Sequence, residues 1–179
     1  MSFETTESLQ SEREEKHTKQ AEQEKGKPIG GWLLLVGFGV FLRPVYLIFS
    51  LLPMYKEMFL SGQWEMIRTV GRMTYGPYFI PFIYAELLIN IILILFSFYL
   101  IYLFVTKDYR FPKYFIILAL GSLAFILIDA WIGGVILGEE PFDPETKHEA
   151  IRATIYAAIW VPYMLISKRV KETFVNHKK

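Results

Sequence analysis

Hydrophobic and polar positions fall into long blocks along this chain, and the blocks are too long for amphipathic helices of a water-soluble core. Four apolar runs, at about 31–52, 82–105, 113–137 and 150–167, are each interrupted by very few charges. At about 1.5 Å of rise per residue, such runs cross the roughly 30 Å of a bilayer's hydrocarbon. The pattern predicts an all-α membrane protein, a four-helix transmembrane bundle over 30–173. The fourth run is the shortest, and Asp143-Pro144 upstream supplies an N-cap with proline at the first helical position, so that helix starts outside the bilayer. Pro162 near its far end predicts a bend that neighbouring helices accommodate.

Polar segments flank these runs. Residues 1–29 are rich in Glu, Lys, Gln and Ser without an apolar stripe, which predicts a disordered charged cytoplasmic tail. The first apolar run begins only at Gly31, so the first span is expected to stay as an anchor. Residues 174–179 read as a short cytoplasmic tail. The stretch from Tyr55 to Pro81 is long and aromatic, with Trp64, Tyr75, Tyr78 and Phe79 at headgroup depth. Breaks at Ser61-Gly62 and Gly76-Pro77 predict short interfacial helices there, read as an anchoring aromatic belt or as a lid or docking surface.

Composition narrows the class. Apolar residues make up 53% and aromatics 17%, with mean hydropathy +0.31. A net charge of +1 gives no concentrated basic face, so nucleic acid is excluded as a partner. The chain has no cysteine, and His17, His148 and His177 show no ligand spacing, so no metal site or cofactor is expected. Lys and Arg are distributed thirteen to five between the termini with the 106–113 loop and the two alternate loops. Both termini are therefore expected inside, with the lipid bilayer as the main partner. Lys168, Arg169 and Lys171, in SKRVK, read as a membrane-interface anchor for anionic headgroups.

Charges inside the apolar runs carry the functional question. Arg43 lies about 13 Å beneath the outer end of its span, Asp129 and Asn90 about 12 Å beneath theirs, and Glu86 about 6 Å, with Arg152 above them. A buried guanidinium needs a partner, so Arg43 is expected to pair with Asp129, with Glu86 as second acceptor and Asn90 as hydrogen-bond neighbour. Three readings follow: an ion pair that fixes helix register, a solute, ion or proton site, and a catalytic site. No catalytic residues are assigned, because no nucleophile-base pair, zinc motif or phosphate loop is present. Ala130, Gly134 and Gly138 recur every four residues as a helix-packing face, for contact within the chain or with a second copy.

GGWLLLVGFG at Gly30–Gly39, SGQW at Ser61–Trp64 and AAIWVPYMLISKRVKETFVN at Ala157–Asn176, together with Arg43, Glu86 and Asp129, resemble a bacterial membrane family termed domain of unknown function 2569. The resemblance covers about 28–176, and the acidic N-terminal tail is additional to it. It implies a small four-span inner-membrane protein and adds no reaction or ligand. The expected role is a non-catalytic accessory or envelope-associated subunit, alone or with a membrane-protein partner; a small transporter and a membrane-embedded enzyme are the alternatives.

Overall fold

The structure is a computed structural model that describes residues 27–176; the N-terminal tail up to residue 26 and the last three residues lie outside the described residues. Among the described residues there are four long helices and two short ones: α1 (Trp32–Leu60), α2 (Trp64–Tyr75), α3 (Phe79–Val105), α4 (Phe111–Leu137), α5 (Pro144–Ile166) and α6 (Lys168–Thr173). Among these residues there is no strand, only an isolated bridge between Asp108 and Asn176. α3 packs against α1 and α4, α5 runs along α4, and α2 lies against α1 and α3.

The residue distribution is inverted relative to a soluble protein. Phe49 and Leu60 are 75% and 77% exposed, whereas Asn90 and Ser97 are 7% and 1% exposed. Large apolar surface of this kind is stable only where something other than water covers it. α1, α3 and α4 are long and apolar enough to cross a membrane, with mean hydropathies of 2.0, 2.6 and 2.4 over their best windows. α5 does not join them by that measure, because Glu145, Lys147, His148, Glu149 and Arg152 occupy its first turns. Asp143 caps it as expected, its side chain accepting the Thr146 N–H at 2.7 Å, with Pro144 in the first turn.

α1 is longer than the apolar run it contains. It continues eight residues beyond Leu52 to Leu60, through Pro53, and its 29 residues span about 43 Å. Pro53 sits on the exposed face, where the helix can open toward the missing donor without disturbing a packed neighbour. The chain then breaks at Gly62, whose φ of +80° favours glycine, and again at Gly76 with φ +86°. One amphipathic helix, α2, fills the interval. Trp64 pins it between Phe59 of α1 and Tyr84 of α3, at ring separations of 4.5 and 5.5 Å.

The packed core lies at the opposite end. Leu33, Val36, Leu103, Phe104, Phe111 and Val170 are among its buried members, drawn from α1, α3, α4 and α6. A Cβ on Gly37 would stand 2.6 Å from the Phe104 ring, so glycine is what lets that ring fill the gap. Residues 174–176 are not a free tail. Phe174 stacks on Phe111 at 4.4 Å, Asn176 donates to the Thr106 carbonyl at 2.7 Å, and Tyr109 N–H donates to the Asn176 carbonyl at 3.2 Å. Lys27 joins the same end through its N–H to the Glu172 carbonyl and an ion pair to the Glu172 carboxylate, each 2.9 Å.

A polar cavity between four helices

Beyond the core, the helices part around a cavity of about 240 Å³. Each long helix presents one stripe to it. Arg43, Leu47 and Leu51 follow at four-residue intervals on α1, and Glu86 and Asn90 do so on α3. On α4, Ser122, Ile126, Asp129 and Ala130 share a face over two turns. α5 contributes Thr146 and Glu149, held in register by the Asp143 cap. The backbone N–H of Thr146 holds the Asp143 carboxyl below the usual carboxylate range.

Arg43 does not pair with Asp129 or Glu86. Its guanidinium donates to the Ser122 hydroxyl, which in turn donates to the Leu118 carbonyl at 2.7 Å. Among the described residues the ion pairs join Lys27 to Glu172 and Arg68 to Glu65, and neither involves the cavity. The reason is axial spacing. Ser122 and Asp129 share a face but lie two turns apart, about 10 Å along α4, so one guanidinium cannot reach both. Asn90 likewise donates to Tyr55, at 3.3 Å, and not to an acceptor of Arg43. Arg43 Nε is buried without a hydrogen-bond partner among the described residues. A small void of about 10 Å³, the size of one water, lies on the core side of Arg43 against Ser97 and Tyr156.

Arg152 falls outside the cavity and is exposed. It is one residue from the inward-facing Ala153, which turns it about 100° around α5. The small-residue stripe also divides. Ala130 lines the cavity, but a Cβ on Gly134 would meet the backbone of Pro141 at 2.6 Å, and Gly138, at φ +69°, ends α4 with its N–H on the Gly134 carbonyl. Gly134 and Gly138 therefore serve the turn into α5, while Gly133, where a Cβ would stand 3.3 Å from Phe82, faces α3. Lys168, Arg169 and Lys171 are exposed on α6, with Val170 buried beneath them.

Sequence reasoning missed Ser122, Thr146 and Glu149 as cavity groups, and Tyr55 as the partner of Asn90. Ser122 had a signal, its seven-residue spacing from Asp129 on one helical face. Among the described residues no cluster of three or more His, Asp or Glu could hold a metal ion.

These features define an all-helical membrane-type protein with charges gathered in its interior. The chain belongs to the family described as "Protein of unknown function (DUF2569)", whose model matches residues 26–175. No curated protein and no solved structure matches it.

Proposed function

We propose that the protein is a four-span solute-binding protein of the transporter class in a bacterial cytoplasmic membrane. Its termini face the cytoplasm, and its cavity takes a small solute carrying a cationic group. α5 is the fourth span in this reading, its charged first turns standing outside the hydrocarbon and its apolar remainder packed on α4. The orientation is supported by the basic segments at 27, 106–113 and 168–171, which the fold gathers at one end.

The observation that carries the proposal is the separation of the charged groups that line the cavity. A cluster kept as glue would neutralise itself, since a lone charge in hydrocarbon costs several kcal/mol or more. Here a guanidinium at the closed end and the carboxylates of Glu86, Asp129 and Glu149 surround a space and leave each other unpaired. With three carboxyl groups against one guanidinium, the lining offers more acceptors than donors and suits a cationic group. A volume of about 240 Å³ suits a solute smaller than a typical drug.

The test uses the purified full chain in nanodiscs and a panel of amines, amino acids and choline-like cations. A solute that raises the melting temperature of the native protein, loses that effect in Asp129→Asn and accumulates in proteoliposomes supports the proposal. Absence of stabilisation across the panel, with unchanged cellular phenotype for Glu86→Gln and Asp129→Asn, would overturn it.

A further inference from the structure

A groove of about 450 Å³ runs on the outside of the protein at the core end, where α4, α5 and α6 meet. The chain reaches it by a bend. Ser167 is extended, with φ −65° and ψ 120°, and its hydroxyl accepts the Val170 N–H, so α6 leaves the line of α5 and forms a foot below α4. Val170 is fully buried under that foot. The notch left between foot and helix has Ile116, Ile117 and Leu165 on its walls, with Ile117 and Leu165 45% and 57% exposed. Its rim carries Lys113, Lys171 and Tyr109. Among the described residues no carboxylate lines it.

We infer that this groove is a binding site for one phospholipid with an anionic headgroup. The two ammonium groups and the tyrosine hydroxyl take the phosphate, and an acyl chain lies along the Ile116, Ile117 and Leu165 surface. Position and chemistry agree. Lys113 stands in the first turn of a membrane-crossing helix and Lys171 on the foot, so both sit at headgroup level while the apolar wall extends toward the hydrocarbon. Charge complementarity selects an anionic lipid over a zwitterionic one, and the apolar wall selects a lipid over a soluble phosphate. The site is independent of the cavity, and its test does not depend on the solute.

The experiment measures phosphatidylglycerol binding to the full chain by native mass spectrometry from micelles. One lipid bound in preference to phosphatidylcholine is expected. Lys113→Gln with Lys171→Gln should weaken it about thirtyfold, from two surface charges at about 1 kcal/mol each. Lys107→Gln with Lys168→Gln, which removes equal charge at the same end outside the groove, should leave binding unchanged. Leu165→Trp, filling the groove with both lysines intact, should also weaken it, and this arm stands if the lysine double variant does not fold. Glycerophosphoglycerol, the headgroup without chains, should not compete. Equal losses in the two double variants would show diffuse attraction and overturn the site, as would competition by the headgroup alone, unaltered binding in Leu165→Trp, or no preference over phosphatidylcholine.

Discussion

Replacing Arg43 and Asp129 singly and together separates a solute cavity from an ion pair. The guanidinium is fixed at Ser122, and Asp129 lies seven residues further along the same face of α4. The rise per residue puts about 10 Å between those Cα atoms, and the backward tilt of helical side chains brings the carboxylate to about 8 Å. At an effective dielectric constant of about 20, unit charges at that distance interact by about 2 kcal/mol, against about 4 kcal/mol for a contact pair at 4 Å. Thermal or steric-trap unfolding of Arg43→Met, Asp129→Leu and the double variant should therefore give a coupling energy of about 2 kcal/mol or less. Ser122→Ala should lower stability by about 1.5–3 kcal/mol, the usual value of a hydrogen bond to a charged group, because it removes the partner that the guanidinium uses. A coupling of about 4 kcal/mol, with the double variant nearly as stable as the native protein, would place the two charges in contact. That result would refute both the spacing argument and the unpaired cavity.

Three other outcomes are expected. Gly37→Leu should destabilise the protein by about 1–3 kcal/mol in thermal unfolding, because any side chain there displaces the Phe104 ring from the core. The Asp143 cap contributes stability that is present above the ordinary carboxylate pKa and is lost as pH falls through its depressed value; a melting series from pH 7 to 3 should show that loss, and Asp143→Asn should reduce its slope. Single cysteines at Gln63 and Lys147 should react with an impermeant maleimide in intact cells, and cysteines at the exposed positions Arg110 and Lys168 only after permeabilisation; labelling of position 110 from outside would reverse the orientation.

The sequence carried the helices better than their ends. Block hydropathy located α1, α3 and α4, because a membrane span needs length and apolarity more than any particular residue. Gly62 and Gly76 marked the breaks around α2 through the backbone angles they adopt. Depth along each span was enough to group Arg43, Glu86, Asn90 and Asp129, which line one cavity. It was not enough to pair them. Pairing depends on azimuth as well as depth, and on short polar side chains such as Ser122 that an apolar run hides. Arg152 shows the same limit, one residue out of phase with its helix's inward face. Gly134 was legible as a close approach but not as an approach to Pro141, because a turn that folds back on its own helix leaves the same spacing as two crossing helices.

The seam at the core end also bears on how the protein is made. Phe174 covers Phe111, and Asn176 ties down the 106–109 loop, yet both emerge from the ribosome after every long helix has been synthesised. Until they arrive, the aromatic face of Phe104 and Phe111 is open, and the loop between α3 and α4 has no strand-like partner. Closing this end of the fold therefore depends on residues that are made after α1, α3, α4 and α5. A chain cut before residue 174 is expected to keep its long helices yet offer a protease an unfastened end.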